Sequence, residues 1–333
     1  MKILTIDFET FYSQTYSLSK MTTEEYIRGD EFEVIGVAVQ VDDGKPVWCT
    51  GDALAIHKFL KGFDFENNLA LAHNAMFDAA ILTWQYGIKP KGWLDTLSMA
   101  RAVHGTEVGG SLKVLAEHYE LGVKGTEVND AKGLRQVDFG ADQLAQYGKY
   151  CENDVALTYG LFAVMSVGFP MFELKLIDLT IRMFSEPTLY LDTAVLEKHL
   201  ADVQEKKKLA LGLFEKDTLM SNPQFAVLLE SFGAVPPTKI SLTTAKTDES
   251  MKALLEHENP MVQAAVAARL GTKSTIEETR TERFLGIARR GFMPVPLRYY
   301  AAHTGRWGGD DKLNLQNLPR NSPLKYAIIA PDG

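Results

Sequence analysis

Residues 2–7 alternate into an apolar strand that ends at Asp7. Residues 33–41 are rich in β-branched side chains and predict a second strand, followed by a turn at Asp42-Asp43-Gly44. Pro46 to Cys49 predicts a third strand and Leu69 to Ala72 a short fourth. From Ala75 to Tyr86 the apolar spacing lengthens to the period of a helix, and helices also fit residues 95–104, 111–119 and 141–165. Strands first, then helices mixed with strands, predict an α/β layer domain over about residues 1–165. Beyond it the strand signal nearly vanishes. Helices fit residues 171–185, 193–220, 223–232, 248–257, 260–270 and 274–290, with a short extended piece at Leu189–Asp192 and a break at Pro236-Pro237. From Gly291 onward the pattern is irregular and extended.

At 333 residues the chain is long enough for two domains, each able to bury a core without staples. Its 46% apolar and 23% charged residues are those of an ordinary globular protein, not a disordered one. Two cysteines, Cys49 and Cys151, in a chain this size suit a reduced, cytosolic protein with two inert thiols. No apolar run reaches membrane-spanning length, and the first residues lack the pattern of a signal peptide. The net charge of −8 is unevenly spread. Residues 270–333 hold ten Lys/Arg against six Asp/Glu, while the remainder holds 25 against 37. A basic end on an acidic body suits a protein that meets a polyanion at that end, although a solvated basic face gives the same count.

Three acidic motifs carry the candidate chemistry. Asp7-Phe8-Glu9 closes the first strand, and alternation puts residues 7 and 9 on one face. Taken alone, this also describes a solvated strand end. His73-Asn74-Ala75-Met76-Phe77-Asp78 follows a strand and opens a helix, which puts Asp78 in the first turn. Tyr150-Cys151-Glu152-Asn153-Asp154 lies on a helix, with Tyr150 and Asp154 on one face. Four carboxylates gathered at one spot require a divalent cation, and all-oxygen donors suit Mg²⁺ or Mn²⁺ rather than zinc. Two such ions about 4 Å apart would hold a phosphodiester for in-line attack by water.

In this order the three motifs resemble those of the proofreading 3′–5′ exonucleases that use four acids and a tyrosine. The resemblance implies a ribonuclease H-like exonuclease domain. It implies Asp7, Glu9 and Asp154 on one metal and Asp7 with Asp78 on a second. Tyr150 would then position the attacking water, with Thr10 and Asn74 against the terminal nucleotide. The remainder of the chain resembles family A DNA polymerases of the bacterial polymerase I and phage group. That likeness runs from Phe225-Ala226-Val227-Leu228-Leu229 through Pro236-Pro237-Thr238-Lys239 and Lys273-Ser274-Thr275 to Pro331. It implies a thumb-like helical region gripping a primer–template duplex.

The resulting expectation is three segments: an exonuclease domain over 1–168, a thumb-like region over 169–290 and an incomplete start of a palm over 291–333. Candidate DNA contacts are Lys273, Arg280, Arg298, Thr304, Arg306, Asn314, Gln316 and Asn317, with Arg306 and Gln316 at positions that touch the duplex near the primer end. Arg and amide side chains can reach minor-groove acceptors without reading sequence. The polymerase carboxylates of that family would follow after Ile328-Ile329-Ala330-Pro331, so polymerisation by this chain alone is not expected, and residues 291–333 are expected to be mobile or rearranged without their sheet. The partners expected are DNA 3′ ends and duplex, together with a possible second chain bearing palm and fingers. In that case this chain acts mainly as a DNA-binding scaffold. The location expected is the cytoplasm (the host's, if phage-encoded). A ribonuclease with the same four acids remains open, because 2′-hydroxyl preference depends on pocket shape.

Overall fold

Strand β1 (Ile3–Thr10) lies at the centre of a five-stranded sheet, and its buried positions face apolar layers on both sides. The computed structural model describes residues 1–125, 131–237, 249–273 and 276–331. Thr238, Lys239, Ser274 and Thr275, quoted above for the polymerase likeness, lie outside the described residues. After β1 come the short helix α1 (Thr23–Ile27), β2 (Val34–Val41), β3 (Val47–Thr50), α2 (Ala53–Lys61), β4 (Leu69–Ala72) and α3 (Met76–Trp84). Next are β5 (Gly92–Asp95), α4 (Thr96–His104), α5 (Leu112–His118), the long α6 (Ala141–Met165) and α7 (Met171–Ser185).

The sheet order is β3-β2-β1-β4-β5, antiparallel between β1, β2 and β3 and parallel from β1 through β4 to β5. This mixed sheet with covering helices is the ribonuclease H-like α/β architecture. Strand β1 runs three residues past its expected end, so Glu9 belongs to the ladder and pairs with Gly36 of β2. Strand β5 was not expected. Four residues that pass without a turn into α4 leave no period to read, yet its backbone pairs with β4 and the Trp93 N–H donates to Asp178 of α7 at 2.7 Å. Helix α1 starts with a capping box. The Thr22 hydroxyl accepts from the Glu25 N–H at 3.1 Å, and the Glu25 carboxylate accepts from the Thr22 N–H at 2.8 Å.

Helix α6 crosses the sheet against β1, β2 and β3. Its approach is set by Trp48 of β3, whose indole lies between Gly36 of β2 and Gly148 of α6. A Cβ at Gly148 would fall 2.5 Å from the Trp48 ring, and one at Gly36 would fall 2.2 Å from it. Only glycine leaves room for the indole there.

The chain folds as two compact units, Met1–Leu189 with Phe292–Leu318, and Tyr190–Gly291 with Pro319 onward. Helix α7 and residues 292–318 therefore belong with the sheet, not with the regions to which the sequence assigned them. The reason is local. The stretch 292–318 contains β7 (Leu297–Arg298) paired with β8 (Gly308–Gly309), and it is bonded along its length to the first unit. The Trp307 indole donates to the Thr180 hydroxyl at 2.9 Å, and the Thr23 N–H donates to Asp311 at 2.6 Å. Lys312 donates to the carbonyls of Ser19 and Met21 at 3.2 and 3.0 Å. This stretch, read from the sequence as an incomplete start of a palm, has its partners in the first unit.

The second unit holds α8 (Thr193–Leu211), α9 (Lys216–Met220), α10 (Asn222–Ser231), α11 (Glu249–Leu255), α12 (Pro260–Lys273) and α13 (Ile276–Arg290). It also holds α14 (Pro323–Tyr326) and a two-residue ribbon of β6 (Tyr190–Leu191) with β9 (Ile328–Ile329). The single helix expected over 193–220 ends at Leu211, because Gly212 and the three residues after it form the turn into α9. Lys207 of α8 donates to Glu278 of α13 at 2.6 Å. Arg269 is fully buried in this unit. It donates to the Leu219 carbonyl at 2.7 Å, and its guanidinium lies 4.2 Å from the Phe225 ring centre. Among the described residues no helix is long and apolar enough to cross a membrane.

Candidate active site

Asp7 and Glu9 project from the same face of β1, two residues apart. Between them the Phe8 N–H donates to Asp78 Oδ1 at 3.2 Å, which ties the first turn of α3 to the strand. Helix α6 brings the rest. Tyr147 donates its hydroxyl to Glu9 Oε2 at 2.5 Å, and Cys151 Sγ lies 3.4 Å from both the carbonyl and Oδ2 of Asp7. Ligand atoms of Asp7, Glu9 and Cys151 all lie within 4.8 Å of one another. Tyr150 stacks on Tyr147 with centroids 6.1 Å apart, and Asp154 follows one turn later on α6. Lys124 donates to Asp154 Oδ2 and places its ammonium 4.6 Å from the centre of the Tyr150 ring.

Glu9, Asp78 and Asp154 are buried, and Asp7 is half-buried. Burial pushes the Glu9 carboxyl up to about 8, and the charge of Asp7 adds to it, against the Tyr147 hydroxyl and Lys124. Burial also raises Asp7, opposed by Lys124 and the Cys151 thiol. Asp78 rises well above the carboxylate range, through burial first and repulsion from Asp7 second, with the Phe8 N–H opposing. Carboxyls so crowded resist ionisation unless cations enter among them. Asp154 Oδ1 is buried without a hydrogen-bond partner. Among the described residues the close-set group is Asp7, Glu9 and Cys151, and neither Asp78 nor Asp154 joins it at that spacing. The paired carboxylates and the orphaned Asp154 oxygen are donors of the kind a hard divalent cation takes.

Residues 2–167 match the family model described as the 3′–5′ exonuclease of the DNA polymerase A type. This stretch is a 3′–5′ exonuclease domain. The polymerase domain of Pol1 from M. smegmatis, solved in complex with DNA primer-template and dNTP, superposes with a TM-score of 0.55 at 17% identity. It covers 100% of this chain, which spans 55% of that one. At this identity the likeness is one of fold. Brucella melitensis NrnC superposes with a TM-score of 0.41 at 16% identity over 54% of this chain and 80% of its own. Its form with bound Mg²⁺ gives 0.39 at 17% over the same shares. No curated protein matches the chain.

Around the exonuclease domain's acids, Asn74 stands exposed in a left-handed conformation with φ of 67°. Its N–H donates to Asp95 at 2.8 Å. The same carboxylate accepts from the N–H groups of Ala75, Leu97 and Ser98, so it caps α4 and fixes the turn that aims Asp78. Thr10, expected against a nucleotide, shares a 2.8 Å hydrogen bond with the buried Tyr26 hydroxyl. Of the expected DNA contacts, Arg298 is ion-paired with Asp310 at 3.0 Å, and the Thr304 hydroxyl accepts from Arg306 Nε at 3.1 Å. Arg306, Gln316 and Asn317 are exposed on the same stretch, with the Gln316 amide donating to the Trp307 carbonyl at 3.3 Å. The amide oxygen of Asn314 is buried beside Gly309. Arg280 lies on α13, and Lys273 ends α12 with its side chain outside the described residues.

Sequence reasoning missed Tyr147, Lys124, Asp95 and the hydrogen bonds from Cys151. Tyr147 had a signal, being three residues before Tyr150 and seven before Asp154 on one helix face. Lys124 had none, since a loop lysine carries no periodicity.

Proposed function

We propose that this chain removes nucleotides one at a time from DNA 3′ ends. Water attacks the terminal phosphodiester, the P–O3′ bond breaks, and a nucleoside 5′-monophosphate leaves behind a new 3′-hydroxyl. The observation that carries this reading is the close-set Asp7 and Glu9 of an exonuclease domain, tied to Asp78 through the Phe8 N–H and accompanied on α6 by the buried, unpartnered Oδ1 of Asp154. Asp7, Glu9 and Asp154 would hold one Mg²⁺ or Mn²⁺, and Asp7 with Asp78 a second. When bound, such ions supply positive charge to the phosphate and a more acidic water.

The chain's own groups do the remainder. Tyr147 donates to Glu9 and favours its ionised form. Tyr150, packed against Tyr147 and Lys124, orients the attacking water through its hydroxyl. Asn74, exposed beside the cluster, meets the terminal nucleotide. Because that nucleotide must leave its stack to reach the acids, single-stranded or frayed ends are the preferred substrates. Removal of misinserted nucleotides from a primer end is the same chemistry, and the polymerase-type family match supports that role. Exposed Arg306 and Gln316 on residues 292–318 are the proposed contacts to duplex DNA.

Purified protein, Mg²⁺ and a 5′-labelled DNA oligonucleotide should give a ladder of shortening products with released monophosphates. Asp7→Ala should abolish the ladder while the circular dichroism spectrum stays unchanged. An Asp7→Ala protein as active as wild type would overturn the assignment. Matched RNA oligonucleotides tested alongside separate a deoxyribonuclease from a ribonuclease.

A further inference from the structure

The carboxylate cluster contains a cation of its own that none of the acidic motifs includes. Lys124 lies in the connection between α5 and α6 and has only 23% of its side chain exposed. Its ammonium donates to Asp154 Oδ2 and rests 4.6 Å from the centre of the Tyr150 ring. Its field also reaches Asp7 and Glu9, where it favours the ionised forms. Asp154 therefore presents one oxygen to Lys124 and another, Oδ1, that is buried and unpartnered.

We propose that Lys124 is an internal counter-ion that competes with a divalent cation for Asp154 and so sets the metal concentration at which the exonuclease works. The proposal rests on the carboxylate site described under the proposed function. Against the repulsion between Lys124 and a divalent ion stand two effects that favour the metal, the field that keeps Asp7 and Glu9 ionised and the hydrogen bond to Asp154. Binding is therefore compared at about pH 9, where the acids ionise more readily, which isolates the hydrogen bond against the repulsion. As a hydrogen-bond donor the lysine orients Asp154, and outer-shell donors of this kind strengthen metal binding about 10–100-fold. As a full positive charge on the same carboxylate it repels a divalent ion across a site with little water to screen them. Repulsion between a +1 and a +2 charge within a few ångströms in such a site exceeds that gain, so the charge decides the sign. The four-carbon stem lets the ammonium withdraw without moving the backbone. Until an ion arrives, the lysine limits the repulsion among acids that would otherwise face one another uncompensated.

The test measures Mn²⁺ binding by electron paramagnetic resonance of free Mn²⁺ on the full chain, with Mg²⁺ titrations by calorimetry in parallel. Lys124→Met removes both charge and hydrogen bond. Lys124→Gln removes the charge but can still donate to Asp154, which keeps a testable variant if the methionine protein does not fold. Lys124→Arg keeps the charge. The proposal expects the Gln and Met proteins to bind Mn²⁺ at least about tenfold more tightly than wild type and the Arg protein to bind like wild type. The Mg²⁺ concentration for half-maximal nuclease rate should fall in the same two variants. Equal or weaker Mn²⁺ binding by Lys124→Gln overturns the proposal. If wild type and every variant fail to bind Mn²⁺, the carboxylate-site reading itself fails, which is a separate result.

Discussion

Tyr147→Phe removes one oxygen atom from the site and nothing else. The ring stays stacked on Phe139 and Tyr150, at centroid distances of 5.6 and 6.1 Å, so the packing of α6 is kept. What is lost is the 2.5 Å hydrogen bond to Glu9 Oε2. A hydrogen bond to an ionised group contributes about 1.5–3 kcal/mol, and about 1.4 kcal/mol is a factor of ten. Glu9 is already pushed up to about 8 by burial and by Asp7, and the Tyr147 hydroxyl opposes that push. Without it the proton holds Glu9 more tightly against any incoming cation. The expected outcome is a roughly 10- to 100-fold loss of kcat/KM at neutral pH. The acid limb of the pH–rate profile should move upward by about one to two pH units, since the protonated form gains relative stability. Single-turnover digestion of a 5′-labelled single-stranded oligonucleotide at saturating Mg²⁺, from about pH 6 to pH 9, measures both. Rates within about twofold of wild type across that range, in a protein with an unchanged melting temperature, would refute the role given to this bond.

Three further outcomes follow from the same contacts. Asp95→Ala leaves the N–H groups of Asn74, Ala75, Leu97 and Ser98 without their acceptor. It should cost about 3 kcal/mol or more, read as a lower urea midpoint at constant slope, and a loss under about 1 kcal/mol would contradict it. Asp311 is held by burial at about 6, above its ordinary 3.8, so its contribution to stability declines as pH rises from about 4 through 6. Asp311→Asn can still accept from the Thr23 N–H, and it should gain about 1–3 kcal/mol over wild type at about pH 7.5 but nothing near pH 4, which melting at the two pH values checks. Arg269→Met leaves the Leu219 carbonyl unpaired in the core of the second unit and should destabilise that unit by about 2–4 kcal/mol, seen as an earlier transition in chemical unfolding.

The sequence was informative wherever a period ran long enough. Helices α3 and α6 and strands β1 to β4 were visible because their apolar positions repeat for several residues. Helix α1 was not, at five residues, and neither was β5, which is no shorter than β3 and β4 but passes without a turn into α4. The break at Gly212 was hidden because the amphipathic pattern continues through it. At the site, the acids at 7, 9, 78 and 154 were readable as ordered motifs. Their surroundings were harder. An aromatic such as Tyr147 on a helix reads as core packing, and Cys151 read as an inert thiol although it donates to Asp7. The internal pairings of the basic tail were not readable. Arg298 read as a DNA contact, yet the register of β7 on β8 brings it against Asp310, a pairing that no local pattern announces.

The acids fall into two sets with different mechanical support. Asp7, Glu9 and Asp78 are coupled through the backbone of one strand and the helix turn bonded to it. Asp154, Tyr150 and Tyr147 ride on α6, whose standoff is set by an indole lodged between two glycines. The gap between the two sets is therefore adjustable from behind. Shaving or enlarging Trp48, or adding a methyl at Gly148, shifts one bank of ligands against the other while every carboxylate keeps its identity. Under the proposed function, rate and ion preference would thus be tuned by residues that never touch substrate.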